Sequence, residues 1–175
     1  GFNLIYSGNH YSAVEKGNHD TLRVMSGINP HCFLWKLGSG ERFCTPQAIM
    51  SYADGGINAF AANMHDFVNG HIIRPEFQYS ERPVVVNNWE ATFFNFNRRK
   101  LLALARRARG LGVEMFVLDD GWFGGKDYPR NSANQGLGDW QIVEEKLPNG
   151  VSAIADYAHS KGLKFGIWIE PEMVN

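Results

Sequence analysis

From Arg82 onward, short apolar runs alternate with stretches of helical spacing. Pro83-Val84-Val85-Val86-Asn87-Asn88-Trp89 is a continuous apolar run, the pattern of a parallel strand covered on both faces. Asn97 to Leu111 reads as a helix, with Asn97 as its N-cap and Gly110 or Gly112 near its stop. Val113 to Leu118 is the next strand, and a long loop runs from about Gly121 to Pro148. Val151 to His159 begins a further helix, ended by Gly162, and Leu163 to Ile169 is a third strand. Strands alternating with helices in this order predict repeated crossover units on a parallel sheet. With acids and aromatics at the strand ends, a (β/α)8 TIM barrel fits best, with only its first three β/α units present. A doubly wound nucleotide-binding sheet is the alternative, but no Gly-x-Gly-x-x-Gly follows any strand.

The chain before Asp54 has β character. Thr21 to Ile28 alternates, Cys32 to Leu37 follows a Gly-Ile-Asn-Pro turn signal, and Gly38-Ser39-Gly40 suggests a hairpin connection. Arg42 to Pro46 and Ala48 to Tyr52 read as another strand, with Pro46 marking an edge or a bend. These strands fit the C-terminal part of a β-sandwich domain, residues 1–55. Ile57, Phe60, Ala61, Met64, Phe67 and Val68 then recur at helical spacing. That helix and the polar stretch to Arg82 predict a linking segment at 56–81, with the barrel part at 82–175.

The chain neither begins with Met nor ends at a loop, so it reads as an internal piece of a larger protein. At 175 residues and a net charge of −1, nothing points to a polyanionic partner. The basic cluster Arg98, Arg99, Lys100, Arg106, Arg107 and Arg109 has leucines and alanine between its members, the outer face of an amphipathic helix rather than a nucleic-acid patch. Cys32 and Cys44 form no framework and read as free thiols of a reducing compartment, which favours a cytoplasmic location. No run is apolar enough to span a membrane.

The densest chemistry lies at Asp119-Asp120-Gly121-Trp122-Phe123, where an apolar strand ends in two carboxylates, a glycine and two aromatics. Carboxylates accept from hydroxyls and aromatic faces stack on sugar rings, so a carbohydrate site is one reading. A metal-binding or helix-capping acid pair is the other. Adjacent residues of a strand point to opposite sides, so the pair cannot readily flank one anomeric carbon, as the carboxyls of a retaining glycosidase do at ~5–5.5 Å. Recognition of two neighbouring hydroxyls through charge-assisted bonds suits them better. Trp89, Trp122 and Trp168 each fall at a strand end, and one or more of them could line an aromatic subsite. Glu90 and Glu170 read first as a structural salt bridge or a loop anchor, ahead of direct substrate contact. In Gly136-Leu137-Gly138-Asp139-Trp140, Asp139 either serves the site or accepts from neighbouring backbone amides. The six histidines show no metal-ligand spacing, and no nucleophile elbow occurs.

Asn88-Trp89-Glu90-Ala91-Thr92-Phe93-Phe94, Phe116 to Phe123, Leu137-Gly138-Asp139-Trp140 and Gly162 to Met173, in this order and spacing, resemble glycoside hydrolase family 36, the microbial α-galactosidases. Trp35-Lys36-Leu37 and Phe43-Cys44-Thr45-Pro46 resemble the end of that family's N-terminal β-sandwich. The resemblance implies a retaining enzyme that releases α-linked galactose from melibiose and raffinose-type oligosaccharides. It implies that Asp119 and Asp120 bind the galactose O4 and O6 hydroxyls and that Trp89 and Trp168 shape the pocket, with Trp122, Asp139 and Trp140 as secondary candidates. The family's nucleophile lies in a Lys-Trp-Asp motif that does not occur here, so no catalytic residue is assigned in this chain and both catalytic acids are expected beyond Asn175. By itself the chain is expected to be inactive and to fold poorly. No metal or cofactor is implied, and the resemblance implies a homo-oligomer, often a tetramer. A galactosyltransferase of the raffinose-synthase or stachyose-synthase kind, an α-N-acetylgalactosaminidase and a non-catalytic sugar-binding relative are the competing readings.

Overall fold

The apolar runs after Arg82 form one parallel sheet in the computed structural model, which describes residues 1–173. The chain divides into two units, Gly1–Ser80 and Glu81–Asn175.

In the second unit the sheet order is β5 (Val85–Asn87), β6 (Met115–Leu118), β7 (Lys164–Ile167). Val86 is in register with Phe116, and Phe116 with Phe165. Helix α3 (Arg98–Gly110) connects β5 to β6, and α4 (Ser152–Ser160) precedes β7. The Asn97 side chain caps α3 by accepting from the Lys100 amide at 3.0 Å, which satisfies one of the donors that a helix start leaves open. Leu101, Ala105 and Ala108 form its buried stripe, while Arg98, Arg99, Arg106, Arg107 and Arg109 stay exposed, as an amphipathic helix requires. Past the end of α4, Gly162 takes φ 72°, and the Leu163 amide turns back to the Ala158 carbonyl. The core joins Leu101, Phe116, Leu118, Ile154 and Leu163 to Phe96, Phe123 and Leu147 from the loops. Each such fully buried large side chain contributes roughly 1.5–3 kcal/mol.

The outer strands are shorter than the apolar runs suggest. β5 stops at Asn87, and Trp89 opens a one-turn helix, α2 (Trp89–Thr92). β7 stops at Ile167.

In the first unit β1 (Phe2–Ile5) pairs antiparallel with β4 (Gln47–Met50), and β2 (His10–Lys16) with β3 (Leu22–Ile28). Helix α1 (Gly56–Phe67) continues through a π turn at Val68–Ile72. The strand expected at Cys32 to Leu37 is not formed, and the one expected over Arg42 to Pro46 and Ala48 to Tyr52 forms only past Pro46, as β4. Cys32 sits at φ 56°, outside strand geometry, and Pro46 has no amide to donate. The two arms instead pack through side chains: Phe43 lies 4.9 Å from Trp35 and 6.3 Å from Phe33, ring centre to ring centre. Cys32 and Cys44 are free and exposed. Among the described residues Met64 alone of this unit's hydrophobic side chains is buried, and no helix is long and apolar enough to cross a membrane.

Candidate functional site

β6 delivers its carboxylates at the middle of the sheet. Leu118 is buried, and the chain then leaves the ladder with Asp119 and Asp120. The two side chains diverge, as successive strand residues do.

Asp119 turns toward the tip of β5. Its Oδ2 accepts from the Asn87 side-chain amide, and its Oδ1 accepts from the Asp120 backbone N–H at 2.8 Å. Its own amide donates to Oδ1 of Asn88 at 2.9 Å. Asn88 is fully buried, and its Nδ2 donates to the Thr92 hydroxyl at 3.1 Å, which itself donates to the Asn88 carbonyl at 2.9 Å. Oδ1 of Asn87 accepts from the Trp89 amide at 3.1 Å. One pair of asparagines therefore ties Asp119 to the turn that carries Trp89.

Asp120 is 7% exposed and faces the long loop. Arg130, also buried, donates from Nε to Oδ1 and from Nη2 to Oδ2, both at 3.0 Å. Nη1 of Arg130 is committed elsewhere, to the carbonyls of Ala133 and Gln135. The guanidinium lies 5.5 Å from the Phe94 ring centre and 5.8 Å from that of Phe123. Gly121 follows at φ 103°, and a Cβ there would meet the Phe96 and Phe94 rings and the Arg130 carbonyl at 3.1–3.3 Å. Only glycine combines that backbone with that space.

Beneath this pair sits Lys146. Its ammonium donates to the carbonyls of Gly121, Arg130 and Phe94 at 2.8, 2.9 and 3.1 Å, one per N–H. Burial lowers its pKa to about 8 from 10.5, against an upward pull from Asp120. Lys146 thus fastens together segments that follow β5, follow β6 and carry Arg130.

The tryptophans divide by role. Trp89 is half-buried, edge-on to Phe93 and Phe94. Trp168 is half-buried, stacked at 6.1 Å on Phe123, and its amide donates to the Leu118 carbonyl. Trp122 is 6% exposed and sits in the core, its indole N–H donating to the Trp168 carbonyl at 2.9 Å. Trp140 is half-buried against Phe123, and its indole N–H reaches the Met173 carbonyl. Asp139 accepts from the Gln141 amide within its own loop. Neither Glu90 nor Glu170 has an ion-pair partner among the described residues, so of the salt bridge or loop anchor expected for each, the salt bridge is not formed. The structure thus brings Asp119, Asp120, Trp89 and Trp168 to the tips of the three strands and places Trp122 beneath them.

Sequence reasoning missed Arg130 and Lys146. Both lie in the aperiodic loop, where no spacing marks a residue as buried. The available signal was chemical: two adjacent acids at a buried strand tip require a cationic partner, and Arg130 and Lys146 are basic residues of the loop that follows.

Residues 42–175 match the Melibiase family, and residues 1–38 match the glycosyl hydrolase family 36 N-terminal domain. Alpha-galactosidase 1 of Pediococcus pentosaceus is 50% identical over the whole chain, which covers 23% of that protein. The crystal structure of the α-galactosidase from Lactobacillus brevis superposes with a TM-score of 0.84 at 46% identity, over 99% of this chain and 23% of that one. An AgaA variant from Geobacillus stearothermophilus, solved in complex with raffinose, gives 0.83 at 44% identity, over 99% of this chain and 24% of its own. The chain thus spans about a quarter of the length of these relatives. By these matches the chain belongs to the melibiase family, the family 36 α-galactosidases.

Proposed function

We propose that this chain supplies the galactose-recognition part of the active site of a larger retaining α-galactosidase. In this reading residues 1–55 end a β-sandwich, 56–81 link, and 82–175 form the first three β/α units of a (β/α)8 barrel. Asp119 and Asp120 accept hydrogen bonds from the O4 and O6 hydroxyls, and Trp89 and Trp168 wall the ring. Trp122 supports that wall from below, and Asp139 and Trp140 shape the loop behind it. The nucleophile and the acid/base are further acids outside this chain. They act by double displacement, in which a glycosyl-enzyme forms and is then hydrolysed. The protein is read as a cytoplasmic homo-oligomer that needs no metal or cofactor.

The observation that carries the reading is the central strand tip itself. It presents two adjacent carboxylates fixed by different partners, with a half-buried tryptophan on each neighbouring strand end. An axial O4 and a primary O6 lie close together on galactose, so such a pair separates galactose from glucose. A site built to bind a hydroxyl rejects the analogue that misplaces it far more strongly than a site that loses a methylene.

The test is hydrolysis of chromogenic α-galactoside and α-glucoside by the whole protein, with Asp120→Asn and Asp119→Asn compared at matched melting temperature. Each substitution weakens one hydrogen bond to a charged group, worth roughly 1.5–3 kcal/mol, so kcat/KM on the galactoside falls by about 10- to 150-fold. Absence of galactoside cleavage by the wild type overturns the activity. Cleavage untouched by both substitutions overturns the site.

A further inference from the structure

Asp120 and Arg130 form a fork-to-fork contact, both oxygens of the carboxylate meeting two nitrogens of the guanidinium. Both side chains are buried, at 10% and 6% exposure. A buried pair of this kind is weak evidence for stability, because desolvating two ions offsets most of their attraction. Its effect is geometric: a planar fork fixes the plane of a carboxylate, which a lysine cannot do. Arg130 is itself held, with Nη1 on two loop carbonyls and its face between Phe94 and Phe123. Oδ2 of Asp120 also accepts from Nε at 3.3 Å, while Oδ1 meets Arg130 through Nε alone and keeps a second lone-pair direction.

We infer that Arg130 is a positioning residue for sugar recognition, setting the plane of the Asp120 carboxylate so that its remaining lone pairs meet a galactose hydroxyl. The inference rests on the proposed role of Asp120. Arg130 touches no substrate; it acts through the carboxylate and couples it to residues 131–135.

The experiment uses the whole protein and p-nitrophenyl α-galactoside beside its 4-deoxy and 6-deoxy analogues. Arg130→Lys keeps the charge and loses the fork; Arg130→Gln keeps one planar donor and loses the charge. Melting temperature and circular dichroism report folding, and kcat and KM are measured separately for Asp120→Asn, each Arg130 variant and the double variants. The expected result is a loss of roughly 10- to 100-fold in kcat/KM on galactoside for Arg130→Lys, carried mainly by KM. The loss is much smaller on the deoxy analogue that lacks the hydroxyl held by Asp120, so the ratio between the two substrates collapses. In the Asp120→Asn background the same substitution changes that ratio little. A merely structural role lowers all substrates together and leaves the ratio unmoved. If Asp120→Asn moves the ratio and neither folded Arg130 variant does, the positioning role is overturned and the recognition site stands. If Asp120→Asn leaves the ratio unmoved, the recognition reading falls and the role of Arg130 with it. Should Arg130→Lys fail to fold, Arg130→Gln supplies the same ratio.

Discussion

Replacing Asn88 with alanine isolates what fixes Asp119. The side chain is fully buried and makes two bonds, accepting from the Asp119 amide at 2.9 Å and donating to the Thr92 hydroxyl at 3.1 Å. Alanine leaves the Asp119 N–H without its partner at a half-buried position. An orphaned buried donor costs about 1–3 kcal/mol, and the void left by the amide adds to it, so Asn88→Ala should cost about 2–4 kcal/mol. Thr92→Val orphans a different donor, Nδ2 of Asn88, and should cost about 1–3 kcal/mol. The Thr92 hydroxyl loses only an acceptor role in Asn88→Ala, because it still donates to the Asn88 carbonyl. The double variant leaves one orphan rather than two, so its loss should fall short of the sum of the single losses by a coupling of about 1–2 kcal/mol. Urea unfolding of the whole protein, followed by tryptophan fluorescence, measures the three variants. Amide exchange at Asp119 supplies the local readout, since its protection should fall in Asn88→Ala and persist in Thr92→Val. Additive losses, or an Asn88→Ala within 0.5 kcal/mol of wild type, a margin at which surface changes fall, would refute the reasoning.

Gly121→Ala puts a Cβ at φ 103° within 3.1–3.3 Å of two rings and a carbonyl; the melting temperature should drop by the equivalent of about 2 kcal/mol or more, and an unchanged melt would show that the loop relaxes freely. Lys146 titrates at about 8 when folded and at 10.5 unfolded, so between those values the unfolded chain holds a proton that the folded chain has shed. This group therefore makes stability rise with pH across about 8 to 10.5 and contributes no slope below that window. Urea midpoints of wild type minus Lys146→Met should climb over the same range, and a flat or falling difference would refute the lowered pKa.

The parallel sheet was legible because its signals are local. Val84-Val85-Val86, Val113 to Leu118 and Leu163 to Ile169 are short apolar runs, and Asn97, Gly112 and Gly162 punctuate the helices beside them. Asp119 and Asp120 were legible for the same reason, being polar residues at the end of a buried run. Arg130 and Lys146 were not, since their roles arise when the loop folds back on itself, with the Gly124 amide on Asp139, the Gly125 amide on Gln141 and the Val143 amide on Trp122. Loop closure of that kind leaves no period to read. The expected strand at Cys32 to Leu37 failed where aromatic side chains, not backbone ladders, hold the two arms. β2 went unread although its register with β3 runs unbroken from His10↔Ile28 to Lys16↔Leu22; its face is exposed, so no buried apolar alternation marks it.

The two carboxylates are adjacent in sequence but differ in physical character, and the difference follows from strand geometry. Because neighbouring side chains diverge, Asp119 meets the asparagines of β5 while Asp120 meets the loop that follows β6. Asp119 accepts from neutral amides, so its negative charge is not cancelled by a direct partner. Asp120 is neutralised by Arg130 and held in one plane. A hydrogen bond from a sugar hydroxyl is stronger to the uncompensated acceptor and more directional to the fixed one. On the proposed reading, Asp119 then supplies more of the affinity and Asp120 more of the discrimination between epimers. Asp119→Asn should raise KM for all bound sugars together, whereas Asp120→Asn should change the ratio between galactoside and glucoside. Equal effects of the two substitutions on both quantities would show that the different partners of the carboxylates have no functional consequence.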